Sequence, residues 1–408
     1  MSKRAGFPRT GSSYRRVRQK IYNGSRTHCR MRRRALLALL AGSIPAGCGG
    51  RLGSASDPDE VRFEPASDDW TQFRGTPDRS GRASATDPIS NADRVEIVDT
   101  GLTSIESPIV AGDTAITVDT ETLAGYDIVE RRLRFELPFD GPPAAPPARC
   151  GSVVAVPTDD RVVGYDIDAE ERVWTRDVRT GFDVGNAPAA LRASFVVRDG
   201  DRIRVIDAES GSDVTRIVTD GGIRGFAVEP DRVVINRRGL DGSLLTAVDL
   251  TSGDRSWTVE TERSDLHPVL GESGTVYVVS EFGRLVAIDD GSVMWREETE
   301  VGDPAPPAFV DGVAVVLSQP MDRVVGVALD EPRVDWEVPI EFGASVVAAG
   351  NRVLVAESNE GIIVLDGSSG RQRARVSDAR FADSLVPTAH GVVFTRATDG
   401  RTFLVTAE

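Results

Sequence analysis

Along most of the chain the apolar residues fall in short runs, broken by Gly and Asp every 8 to 12 residues, as in Val276-Tyr277-Val278-Val279 and Val353-Leu354-Val355. Runs this short, rich in β-branched residues and bounded by turn formers, predict strands joined by hairpins. Outside one stretch near the N-terminus, no segment sustains a helical period. An apolar strand ending in Asp recurs at Asp127, Asp166, Asp207, Asp249, Asp289, Asp330 and Asp366, with spacings of 39, 41, 42, 40, 41 and 36 residues. A further step of 40 reaches Thr406 in Phe403-Leu404-Val405-Thr406-Ala407, an eighth copy without the Asp.

Each unit reads alike. A small or Pro-rich entry leads to an apolar strand and a tight turn, such as Ala111-Gly112-Asp113 or Ala389-His390-Gly391. A Val-rich strand, a polar turn, the Asp-ending strand and a last strand follow. Gly211, Gly253 and Gly370 each stand four residues after their Asp, where a hairpin bulge needs positive φ. Trp174 and Trp257 follow their Asp by eight residues, and Trp295 and Trp336 by six. A difference of two keeps the indole on one face of the strand, so the tryptophans are expected to pack between neighbouring sheets.

Four strands in about 40 residues predict one blade, and the whole predicts an all-β, eight-bladed β-propeller of four-stranded antiparallel blades. The eighth unit supplies only three strands. Arg94-Val95-Glu96-Ile97-Val98-Asp99-Thr100 occupies the position of a last strand without a blade of its own. The expectation is closure by this N-terminal strand joining the C-terminal blade, which removes the open edges.

Charge divides the chain in two. Residues 1–47 hold twelve Lys or Arg and no acid, which leaves 36 bases against 63 acids in the remainder, a net of −27. Every one of those later bases is Arg. A carboxylate-rich surface with Arg in place of Lys resembles proteins of extreme halophiles, where concentrated salt shortens the Debye length to about 3 Å and removes the cost of self-repulsion. Such a surface excludes a nucleic-acid-binding body, which needs cations against phosphate.

The basic segment reads as an address. Met31-Arg32-Arg33-Arg34 precedes an apolar run from Ala35 to Ala46, too short to span a bilayer, which needs about 20 residues. Ile44-Pro45-Ala46-Gly47-Cys48 resembles a lipobox with Cys48 as the lipid-carrying residue, and Arg32, Arg33 and Arg34 ahead of Ala-Leu-Leu look like a twin-arginine export signal. The domain reading is therefore 1–30 as an extension upstream of the true start at Met31, 31–47 as signal peptide, 48–68 as flexible acidic tether, and 69–408 as propeller. Export with attachment to the outer face of the cytoplasmic membrane through lipidated Cys48 follows as the expected location.

The repeat units resemble the PQQ-like repeat family, through Gly274-Thr275-Val276-Tyr277-Val278, Leu285-Val286-Ala287-Ile288-Asp289, Ser252-Gly253 and the tryptophans. Trp70-Thr71-Gln72-Phe73-Arg74-Gly75 is similar to the opening found before such propellers. An eight-bladed ring on a lipid anchor also resembles the propeller lipoproteins of the outer-membrane β-barrel assembly machinery. The family includes alcohol dehydrogenases that bind pyrroloquinoline quinone (PQQ) and Ca²⁺, with adjacent cysteines over the quinone and Glu, Asn and Asp around the metal. This chain has three cysteines, none adjacent, so no PQQ or other cofactor is expected.

Other chemistry finds little support. Asp166-Ile167-Asp168-Ala169-Glu170-Glu171 lacks the Gly and the final Glu of a calcium loop. Asp220-Gly221-Gly222 lacks the Lys-Ser/Thr pair of a phosphate loop, and no Gly-x-Ser-x-Gly elbow occurs. His267, His390 and Cys150 stand at entry or turn positions and read as structural. No catalytic or metal-binding residue is predicted, and cofactor-binding residues stay unassigned. Two readings remain: a monomeric, non-catalytic propeller that binds an unknown protein partner or small ligand, or an exported quinone- or sugar-acting enzyme with its site in the central funnel.

Overall fold

The computed structural model describes residues 70–83, 89, 95–181, 186–271, 273–302, 304–318 and 323–407. They form eight sheets, each built on a four-stranded antiparallel meander, and no α-helix occurs among them. Blade one runs Ile109–Ala111, Thr114–Val118, Thr122–Asp127 and Arg132–Pro138. Blades two to seven repeat this meander from Ala148 to Val376, with strands hydrogen-bonded in sequence order. The first strands of blades one to five touch in order around the axis, as do those of blades six to eight, and blade eight reaches blade one.

Blade eight joins a strand from before blade one to the C-terminal strands. Its strands are Ala382–Thr388, Gly391–Arg396 and Arg401–Ala407, and Val95–Thr103 lies on its outer edge. Val95 pairs with Ala407, Ile97 with Val405 and Asp99 with Phe403. Blade seven departs from the four-stranded rule: Arg82–Ala83 adds a fifth, parallel strand on its axial edge.

The repeated Asp has a mechanical purpose. Asp166 Oδ1 accepts the amides of Asp168 and Ala169 at 3.0 and 2.9 Å, and Asp249 Oδ1 accepts those of Thr251 and Ser252 at 2.8 and 2.6 Å. Each carboxylate caps the turn into the last strand, the local bond Asp offers best. Gly211, Gly253 and Gly370 then take φ of 65°, 76° and 65°.

One register is corrected. Arg352 pairs with Asp366 and Val153 with Asp166, but the matching residue of blade six, Val313, pairs with Ala328. Asp330 therefore lies two residues past the cap position. Trp336 stands eight residues from Ala328, like Trp174 from Asp166, and only Trp295 follows a shortened turn.

The tryptophans wedge the blades apart at a fixed spacing. Trp174 lies over Gly164 of its own sheet, and a Cβ there would run into the indole. The same ring covers Gly211 of blade three and donates from Nε1 to the Ala208 carbonyl at 2.8 Å. Trp336 repeats this with Gly326, Gly370 and the Gly367 carbonyl at 3.1 Å. Trp174 and Trp336 are buried; Trp257 and Trp295 are half-buried.

Candidate functional site

A propeller's first strands are edge strands that face the axis, and their inward amides need acceptors. Here the chain supplies them itself. The segment Trp70–Ala83 passes around the axis and meets seven blades in order. Val110 donates to the Trp70 carbonyl at 2.9 Å, Arg149 to Thr71 at 2.8 Å, Val228 to Pro77 at 2.9 Å, and Leu270 to Asp78 at 2.9 Å. Phe309 donates to Ser80 at 3.2 Å and Ala348 to Gly81 at 2.7 Å. In blade three the acceptor is a side chain, Gln72 Oε1, 2.9 Å from the Ala190 amide.

These seven donors hold one register. Each pairs with the residue that follows the one opposite the cap position, as Val110 with Ala115, Val228 with Val233, Phe309 with Ala314 and Ala348 with Val353. The corresponding residue of blade eight is Pro387, paired with Val392, which has no amide to satisfy. Two residues before the donor, where an amide points the same way, stand Pro108, Pro147, Pro188, Pro268 and Pro307. The Pro-rich entries thus delete inward donors that the hub does not reach.

Two arginines fill the hub. Arg79 Nη1 donates to the Phe73 carbonyl at 2.8 Å, and Nη2 to those of Ala187 and Pro188 at 2.6 and 3.2 Å. Its guanidinium lies 5.5 and 5.6 Å from the ring centres of Phe73 and Phe226. Arg74 donates to the carbonyls of Val346, at 2.9 Å, and Pro307. Burial lowers both pKa values to about 9, against the opposing pull of Asp78, so both stay charged at neutral pH. Beside them the buried His267 packs edge-on to Phe73, with ring centres 5.3 Å apart. Burial, then Arg79 and Arg74, hold its pKa well below the ordinary value, so it is neutral.

Above the hub lies a cavity of about 250 Å³, lined by Trp70, Phe73, Arg74 and His267, by the connectors entering blades one, five and six, and by the first strands of blades seven and eight. Asp265 on its edge pairs with Arg224 at 3.0 Å.

The sequence candidates fall as follows. Arg32, Arg33, Arg34 and Cys48 lie outside the described residues. Cys150 is buried, its thiol 2.8 Å from the Arg192 carbonyl, and burial, with Asp207, raises its pKa to about 11, which makes it a poor nucleophile. His390 Nε2 meets Asp113 Oδ1 at 2.8 Å on the surface where blades eight and one adjoin. Among the described residues no three His, Cys, Asp or Glu side chains converge as metal ligands. Sequence reasoning marked Trp70–Gly75 as an opening motif and missed that it fills the axis. The available signal was its lack of strand alternation together with Arg74 and Arg79 amid apolar and small residues.

The family model described as outer membrane protein assembly factor BamB matches residues 70–224, 158–272 and 240–339, from the hub through blade six. The chain belongs to this family of PQQ-type repeats. A curated relative, the serine/threonine-protein kinase AfsK of Streptomyces coelicolor, is 27% identical over 54% of this chain, which spans only 29% of that protein. Among solved structures, BamB from Moraxella catarrhalis is similar with a TM-score of 0.61 at 16% identity, over 77% of this chain and 99% of that one. The quinohemoprotein alcohol dehydrogenase ADHIIG from Pseudomonas putida HK5 gives 0.66 at 12% identity, over 84% and 80%. At these identities the likeness is one of fold.

Proposed function

We propose that this propeller is a non-catalytic binding scaffold for a protein partner, exported and held by a lipid on Cys48 at the outer face of the cytoplasmic membrane. The observation that carries the reading is the hub. Residues 70–83 bond to seven blades and set two buried guanidinium groups on the axis, so the ring's interior serves its own stability and its faces remain for recognition. Membership of the BamB family supports a partner-binding role, and the Ile44–Cys48 motif supports the anchor.

The alternative, a quinone-dependent dehydrogenase, draws on the fold likeness to alcohol dehydrogenases. The residues present do not fit that group. Cys150 has no neighbouring cysteine, no convergent ligand set for Ca²⁺ occurs among the described residues, and Arg74 and Arg79 crowd the axis. The test is titration of purified protein with PQQ and Ca²⁺, followed by absorbance and by dye-linked alcohol oxidation. Turnover overturns the scaffold reading. Cys48→Ser is expected to release the protein from membranes, and a variant that fractionates like wild type refutes the anchor.

A further inference from the structure

Among the described residues the exposed phenylalanines lie on one face. Phe282, Phe342 and Phe381 are 75%, 56% and 40% exposed, and all three lie in the connectors and turns on the cavity side. Phe342, Phe381 and Ile105 form a set. Each stands two residues before a residue that lines the cavity, Ala344, Asp383 and Ser107, in the connectors entering blades seven, eight and one. Three adjacent blades therefore raise an apolar side chain from matching positions beside one opening.

The connectors are fixed. The Ser358 amide donates to the Phe342 carbonyl at 3.1 Å, the Phe381 amide to Ser358 at 2.8 Å, and the Ala397 amide to Phe381 at 2.8 Å. Both phenylalanines are held at positive φ, 58° and 61°, a conformation that glycine takes more readily. A bulky aromatic kept there, in solvent, is not what folding alone selects. The segments around the crescent carry Glu106, Glu341, Asp378 and Asp383 against Arg380, while the neighbouring Arg375 and Arg396 are already paired with Glu357 and Asp399.

We infer that the crescent of Ile105, Phe342 and Phe381 is a docking surface for a cationic, apolar peptide segment of a partner protein. The apolar anchors supply the buried centre and the carboxylates a rim of opposite charge to the partner's Lys or Arg. The inference rests on the scaffold reading and names its surface.

The test uses fluorescence anisotropy with three labelled peptides, alternating Leu-Arg, Leu-Glu and Ser-Arg, on the propeller chain and on a Phe342→Gly/Phe381→Gly variant. Glycine suits both φ values, so this variant is expected to melt no lower than wild type. Saturable binding of the Leu-Arg peptide, weakened at least tenfold by the double substitution and unchanged by Val214→Ser/Val218→Ser on an outer strand, supports the surface. Equal binding of the Ser-Arg or Leu-Glu peptide, no binding, or an unaffected glycine variant overturns it. So does concentration-dependent self-association that the glycine variant abolishes, since the occupant is then a second copy. A partner cross-linked at Val218 and not at Phe342 also overturns this surface while the scaffold reading stands.

Discussion

Arg79 Nη2 meets the carbonyl oxygen of Ala187 at 2.6 Å, joining the hub to blade three across 108 residues of chain. The carbonyl belongs to the connector two residues before blade three's first strand, Ala189–Leu191, and lies outside that strand's pairing. Arg79→Met keeps the bulk of the side chain and strands the acceptors of Phe73 and Ala187. Each buried acceptor left without a partner costs about 1–3 kcal/mol. The expected loss is therefore about 3 kcal/mol, read as a lower urea midpoint at unchanged slope. Arg79→Lys is expected to fall between, because one ammonium cannot span both sites.

The wedge at Trp174 predicts a coupled pair. Trp174→Ala removes a buried indole and is expected to cost about 3–5 kcal/mol. Gly164→Ala puts a methyl into the same ring and is expected to cost about 1–3 kcal/mol. In the double variant the methyl meets no ring, so the combined loss is smaller than the two single losses added together. A double-mutant cycle by chemical denaturation measures the difference.

How far the sequence was legible follows from what each feature repeats. Asp166, Gly211 and Trp174 recur with the blade, so the ring, its strand order and the inter-blade packing could be read from spacing alone. Asp330 misled because an Asp two residues past the cap imitates the pattern, and only the pairing of Val313 with Ala328 separates them. The hub was not legible because it occurs once. Apart from Gln72 and the two arginines, it bonds the blades through backbone carbonyls of residues as unlike as Thr71, Pro77 and Gly81, and any side chain can carry such a carbonyl. Pro387 was readable as a proline, but its meaning depends on knowing that the other seven blades donate from that register.

Asp366 carries a pH signature. Hydrogen bonds from Arg373 at 2.7 Å, then from Ser368 and Ser369, hold its carboxyl well below the usual range. A depressed carboxylate pKa means that the unfolded chain binds the proton first. Its stabilisation is thus present above about pH 4 and lost as the pH falls below that. Asp366→Asn preserves the turn acceptor and removes the charge. It is expected to be less stable than wild type at pH 7, with the gap closing between pH 4 and pH 2 in thermal melts.

Salt should stabilise the fold. Residues 48–408 carry a net charge of −27, and that repulsion is unscreened in dilute buffer. The melting temperature is expected to rise from 10 mM to molar KCl, and to rise equally in NaCl, since screening does not distinguish the two cations. A melting temperature that stays level or falls with salt removes the halophilic reading.

The strand Arg401–Ala407 lies between Gly391–Arg396 and Val95–Thr103, so it ties the strand before blade one to the last blade. Deleting residues 401–408 removes the buried side chains of Phe403, Leu404 and Val405 and opens two strand edges at once. At about 1.5–3 kcal/mol for each buried side chain, the packing loss alone is upwards of about 4 kcal/mol, a large part of a domain's usual stability. The sequence distance between the paired strands does not offset this, because closure entropy grows only logarithmically with length. The truncated chain is expected to lose its cooperative melt or to shift it down by ten degrees or more. Deleting residues 49–60, polar and acidic by composition, is expected to leave the melt unchanged. Equal melting of the two deletions removes the claim that this strand holds the ring together.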